Sequence, residues 1–254
     1  MTSDQLVPLA LARMPFLKVR ERILLAELFP DPESFKRMTL GNLQKTVLRK
    51  LHIQDFCAGG YLREAALDQK YLTKRNIQCT FYNDSEYPAL LKEIYDPPLV
   101  LFHQGHLPEA DRPKVAVVGT RRPTSGGLKA AYRLGRELAR AGVWVISGLA
   151  IGIDRAVQQG TVAGGGSTAA VVGNGIGTVY PRSSRNLAVA LLKAGGSVIS
   201  EYPPGVPPHK YHFPARNRII SGLADAVVVV EAPEKSGALI TADYALEQGR
   251  DLYV

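Results

Sequence analysis

Lys-Val-Ala-Val-Val-Gly-Thr-Arg-Arg-Pro-Thr-Ser-Gly, residues 114–126, is the stretch from which the fold can be read. Val115 to Val118 is an apolar, valine-rich run of the kind buried on both faces in a parallel sheet. Gly119 ends it, small and basic residues follow, and a helical pattern begins at Gly127 and Leu128. A strand that breaks into such a loop and then a helix aims unpaired backbone N–H groups and a positive dipole end at one place. Arg121 and Arg122 add full charges there. The simplest ligand for that combination is a phosphate.

Toward the carboxyl end, strand and helix patterns alternate. Leu128, Ala131, Leu134 and Leu138 stripe a helix that stops at Gly142. Strands are predicted at 143–147, 169–172, 198–200, 227–230 and 252–254, and helices at 154–163, 186–193 and 238–248. Apolar strands alternating with helices predict an α/β fold with a doubly wound parallel sheet. Ligands of such sheets bind beyond the carboxyl ends of the strands. That rim holds 119–125, 147–152, 173–177 and 201–217. The pattern stops at Val254 inside a strand, so the domain is expected to be truncated there or to continue in a further segment.

Toward the amino end, 77–82 and 99–102 read as short strands, with turns at Tyr87-Pro88, Asp96-Pro97-Pro98 and Gly105. Residues 1–75 read as a small all-helical domain, with Leu6, Leu9 and Ala10, then Val19, Ile23, Leu24 and Leu28, at helical spacing. The expected division is therefore 1–75 and 76–254. Lys45, Arg49 and Lys50 could line one helix face, either against a DNA backbone or as a solvated surface.

The net charge of +8 admits a polyanionic partner without requiring one. Asp4 and Arg13 interrupt the amino-terminal apolar stretch, and no apolar run approaches the ~20 residues of a membrane span. Cys57 and Cys79 form no disulfide framework. A cytoplasmic protein is expected.

Familiar catalytic signatures are missing. Gly119 and Gly126 do not make the glycine fingerprint of a dinucleotide fold, and no Gly-Lys-Ser/Thr forms a P-loop. His103 and His106, like His209 and His212, have H-x-x-H spacing without a third ligand, so no metal and no cofactor are expected. Asp154, Glu201 and Glu231 fall near the rim, where they can cap helices or pair with arginines. The densest constellation is 209–218, a rim loop leading into a helix that carries Lys210, Tyr211, Phe213, Arg216 and Arg218. One reading has the cations holding phosphates while Tyr211 or Phe213 stacks on an unpaired base. The other has Phe213 packed beneath the loop and the two arginines paired with Asp225 or Glu231.

Six motifs bear on the choice. Val-Ala-Val-Val-Gly-Thr-Arg (115–121), Ser-Gly-Leu-Ala-x-Gly-Ile-Asp (147–154) and Val-Tyr-Pro (179–181) are followed by Ser-Glu-Tyr-Pro-Pro-Gly (200–205). His-Phe-Pro-x-Arg-Asn-Arg-Ile-Ile-Ser-Gly-Leu (212–223) and Ser-Gly-Ala-Leu-Ile-Thr-Ala-x-x-Ala-Leu-Glu-Gln-Gly-Arg (236–250) complete the series. In this order they closely resemble the DNA-processing protein A (DprA/Smf) family. The helical segment resembles that family's small SAM-like or helix-hairpin-helix-like domain only loosely.

The resemblance implies an extended Rossmann-like domain, without catalytic residues, that binds single-stranded DNA. It also implies a recombination mediator that protects incoming DNA and loads RecA during natural transformation in competent cells. Position by position, it implies a DNA-binding set of Gly119, Thr120, Arg121, Ser147, Gly148, Gly205, Lys210, Phe213, Arg216, Asn217 and Arg218. Among these, Arg121 is the phosphate-pocket arginine and Phe213 the base-contacting aromatic. Thr120 replaces a frequent Ser, and Asn174 a frequent Cys. The resemblance further implies a homodimer through roughly 228–246, and a winged-helix-like carboxyl domain common in relatives is not present in this stretch. The rival is a nucleoside monophosphate hydrolase of the lysine-decarboxylase-like Rossmann group. Its Pro-Gly-Gly-x-Gly-Thr-x-x-Glu motif is replaced here by Ser236-Gly-Ala-Leu-Ile-Thr-Ala.

Overall fold

A computed structural model describes residues 5–234 and 236–254. The chain opens with five helices, α1 (Leu6–Ala12), α2 (Val19–Leu28), α3 (Pro32–Lys36), α4 (Leu40–Thr46) and α5 (Ala58–Lys74). Strand β1 (Gln78–Phe81), the one-turn helix α6 (Ala89–Lys92) and strand β2 (Val100–Gly105) follow. The remainder alternates through β3 (Lys114–Gly119), α7 (Ser125–Arg140), β4 (Trp144–Ser147), α8 (Ile153–Ala163) and β5 (Thr168–Val171). After α9 (Arg185–Lys193) come β6 (Ser197–Ser200), α10 (His212–Gly222), β7 (Ala226–Val230), α11 (Gly237–Glu247) and β8 (Asp251–Tyr253).

The strands form one sheet in the order β1-β2-β6-β5-β4-β3-β7-β8. The six from β6 to β8 pair in parallel, with Val115 opposite Val145 on one side of β3 and Val117 opposite Val228 on the other. Strands β1 and β2 are antiparallel, so the sheet is mixed rather than wholly parallel. A turn closed by the Asp84 carboxylate on the Phe81 N–H (2.8 Å) reverses the chain after β1, and no long crossover helix intervenes before β2.

Both faces of β3 are covered, as its sequence requires. Ala116 and Val118 point into a core with Ile219, Ile220 and Ala242 from α10 and α11. Val117 points the other way, among Ala131, Val157 and Leu134 of α7 and α8. Those two helices touch closely because Gly135 and Gly160 leave room for the opposing backbone: a Cβ at Gly160 would lie 2.0 Å from the Tyr132 carbonyl. The amino-terminal helices share a third core with the sheet, in which Leu9, Phe35 and Leu72 join Phe102, Ala170 and Leu187. The expected division at 75/76 falls between α5 and β1 along the chain, and this core runs across it.

Helix α10 differs from the sequence reading. It starts at His212, so Phe213, Arg216 and Arg218 stand on a helix and not on a rim loop. Among the described residues, no helix is long and apolar enough to cross a membrane.

Candidate nucleic-acid interface

From β3 the chain winds outward through β4, β5 and β6, then returns to lay β7 on the other side of β3. The carboxyl ends of β3 and β7 therefore flank the point where the winding reverses, the usual ligand position in such sheets. A cavity of about 770 Å³ opens there. Gly119 to Arg122 border it after β3, Pro233 and Ser236 to Ala238 after β7, and α10 forms the third wall. Helical periodicity selects the α10 residues: Phe213, Arg216, Asn217 and Ile220 share the cavity face, whereas Arg218 is turned elsewhere.

The start of α7 already holds an anion of the protein's own. The Glu231 carboxylate accepts from the Thr124 N–H at 2.8 Å and from the Thr124 hydroxyl at 2.8 Å, and that hydroxyl accepts from the Gly127 N–H at 3.0 Å. An internal anion therefore caps the helix that the sequence suggested for an external one. The cations of the loop remain available. Arg121 and Arg122 are exposed, and the Arg121 guanidinium lies 5.4 Å from the centre of the Phe213 ring.

Buried polar atoms lie behind this lining. Arg216 Nε, Ser236 Oγ and Thr241 Oγ1 are buried, belong to residues that line the cavity, and have no hydrogen-bond partner among the described residues. Arg216 is 3% exposed. Its Nη1 donates to the carbonyls of Gly148 (3.0 Å) and Val171. Burial pulls its pKa down to about 10, against the attraction of Asp154. Burial likewise pushes the Asp154 carboxyl up, with Arg216 opposing. Asp154 also accepts from the Gly148 N–H at 3.1 Å. Arg216 thus ties the β4 and β5 loops together at the cavity wall.

Of the residues singled out in sequence, Gly119, Thr120, Arg121, Lys210, Phe213, Arg216 and Asn217 border this cavity. Lys210 is exposed and Phe213 half-buried, and Asn217 donates to the Gly237 carbonyl at 3.1 Å. Ser147 is fully buried and donates to the Val117 carbonyl at 2.7 Å. Gly148 lies beneath the cavity against Arg216 and Asp154, and Gly205 is exposed on a turn apart from it. Arg218 is placed away from the lining. It donates through two nitrogens to Glu201 at 2.7 and 2.6 Å and to the Asp96 carbonyl at 2.9 Å. Burial alone would push Glu201 up, yet Arg218 holds it below the usual carboxylate range. Neither suggested partner, Asp225 or Glu231, serves Arg218: Asp225 accepts from the Lys114 N–H at 2.7 Å, and Glu231 caps α7.

Sequence reasoning gave no binding role to Tyr180, Ser236 or Thr241, which also border the cavity. The Tyr-Pro dipeptide and the Ser-Gly start of α11 were visible signals, but nothing local placed them opposite Arg121. Asn174 is 1% exposed and closes its turn through Nδ2, which donates to the Thr178 carbonyl at 3.1 Å and hydroxyl at 2.9 Å. His103 lies between the Thr80 hydroxyl and the Gly105 carbonyl, and His212 stacks on Tyr202 with the His209 ring 5.0 Å away.

Fold and site together define an α/β protein whose cation-rimmed cavity lies at the switch point of a largely parallel sheet. The family model for DNA recombination-mediator protein A matches residues 78–254, and the chain belongs to that family. It is 44% identical over 172 residues to DNA processing protein DprA of Bacillus subtilis, covering 67% of this chain and 58% of that protein. It is 45% identical over 170 residues to the Streptococcus pneumoniae protein of the same name, covering 67% and 60%. The chain therefore spans about three fifths of the length of these two relatives. The X-ray structure of DprA from S. pneumoniae superposes with a TM-score of 0.73 at 32% identity, covering 99% of this chain and 86% of that one. A Helicobacter pylori DNA processing protein A structure, described for its unique single-stranded DNA binding mode, superposes at 0.62 with 31% identity, covering 69% and 79%.

Proposed function

We propose that this chain is a non-catalytic, single-stranded-DNA-binding recombination mediator. The observation that carries the proposal is the cavity itself: exposed Arg121 and Lys210 on its lining, Phe213 between Arg121 and Tyr180, and Arg216 in its wall. Cations suit phosphates, and aromatic rings suit bases that are not already stacked in a duplex. Family membership supports the mediator role, and the H. pylori relative's described binding supports the choice of single strands. Protection of incoming DNA, loading of RecA and a part in natural transformation complete the proposed role, in the cytoplasm.

Binding to single strands and blunt duplexes of equal length across a salt series tests the reading. Single strands are expected to win clearly, with little sequence preference. Neutralising ~3–5 phosphates gives a slope of log affinity against log salt of about −2 to −3.5. Equal affinity for the duplex would refute it.

A homodimer through the α11–β8 end is also proposed. Among the described residues strand β8 pairs only with β7, leaving its other edge unpaired, and Leu239, Leu246 and Tyr253 are 37%, 64% and 58% exposed there. Light scattering at micromolar concentration is expected to report particles of about twice the 27.6 kDa chain, and Leu246→Glu to halve them. Monomers of the unaltered chain would overturn this.

A further inference from the structure

Tyr180 stands on the rim of the cavity with its ring 5.7 Å from that of Phe213, the planes 39° apart. It is 48% exposed, so it serves no core. The Phe213 ring is more enclosed. Arg121 covers it at 5.4 Å, and it packs so tightly on Gly173 that a Cβ there would come within 3.0 Å of Cδ1.

The backbone that carries Tyr180 is pinned on both sides. Upstream, Asn174 holds Thr178 through its carbonyl and hydroxyl at 3.1 and 2.9 Å. Downstream, the Ser184 hydroxyl donates to the Leu149 carbonyl at 2.9 Å, and Arg155 donates to the hydroxyls of Ser183 and Ser184 at 2.7 and 3.1 Å. An exposed ring on a fixed backbone can be covered by a flat ligand at small entropic cost.

We propose that Tyr180 is a base-stacking platform of this interface, with Phe213 as the ring that buttresses it from below. The ligand is an unpaired nucleobase next to the phosphate held by Arg121, so the inference rests on the single-strand reading above. Tyr180, on the β5–α9 segment, and Phe213, on α10, then act as one tiered surface.

The test compares the unaltered protein with Tyr180→Ala and Tyr180→Phe, on an oligothymidylate and on a fully abasic strand of the same length. Tyr180→Ala is expected to melt normally, to bind the oligothymidylate about tenfold more weakly, and to keep its salt slope. Tyr180→Phe, which retains the ring, is expected to bind like the unaltered protein. On the abasic strand all three are expected to bind equally, because no base remains to stack. An unaffected Tyr180→Ala, a loss that persists on the abasic strand, or an equal loss in Tyr180→Phe would overturn the assignment. If the unaltered protein bound neither strand, the single-strand reading itself would fail, which is a different outcome from these.

Discussion

Arg218→Ala is expected to destabilise the fold by about 3–5 kcal/mol, the usual consequence of removing one partner of a buried ion pair. In a chain of this size that lowers Tm by roughly 10 °C. The Glu201 carboxylate, 9% exposed at its side chain, would be left with only the weaker attraction of Arg22 and His212, and the Asp96 carbonyl would lose its donor. The sign of the pH dependence follows from the same pair. The folded-state pKa of Glu201 lies below its ordinary value, so its contribution is fully present above that value and is lost as pH falls toward the depressed one. Arg218→Ala should flatten this acid limb. Thermal melts from neutral pH into the acid range measure both effects. An Arg218→Ala protein that melts normally but has lost strand binding would return Arg218 to the DNA surface and refute the structural role argued above.

Such a role for Arg218 could not be read locally. Val115 to Val118 and the apolar stripe of α7 were legible because each element's own period names its buried faces. Helix α10 was harder. It is enclosed on most sides, with buried charges as well as buried isoleucines, so it offers no clean amphipathic stripe. Its Arg-Asn-Arg run looks like one basic patch in sequence. Helical geometry sends Arg216 to the cavity and Arg218 to Glu201. The start of α7 is not legible locally for a related reason. The glycine loop did suggest an anion site, but the anion is Glu231, 107 residues from Thr124 and brought there only by the pairing of β7 with β3. Arg121, Lys210 and Phe213 were legible as a group because residue type alone suggested phosphate and base contacts, and the fold places them around one opening.

Gly152→Ala is expected to damage stability and the binding site together. Gly152 has φ 88° and ψ −132°, a region open essentially to glycine alone, which costs another residue about 1–3 kcal/mol. An added Cβ would also lie 2.3 Å from the Thr120 carbonyl oxygen and 2.8 Å from the Arg121 Cα. Overlap of that kind adds roughly 1–3 kcal/mol where the backbone has to move. The Ile153 N–H donates to the same Thr120 carbonyl at 3.2 Å, so the β3 loop cannot retreat without breaking the contact that ties it to α8. The segment that must shift is the one that carries Arg121. Arg121→Ala separates the two effects. Its exposed side chain is expected to leave Tm unchanged while flattening the salt slope by about 0.7, the value of one single-strand phosphate contact. Gly152→Ala should lower Tm clearly and, in the fraction that stays folded, weaken every strand tested. A Gly152→Ala protein with unaltered Tm and unaltered affinity would mean that the β3 loop yields freely, and that Arg121 is not held in place by the close packing of Gly152 against it.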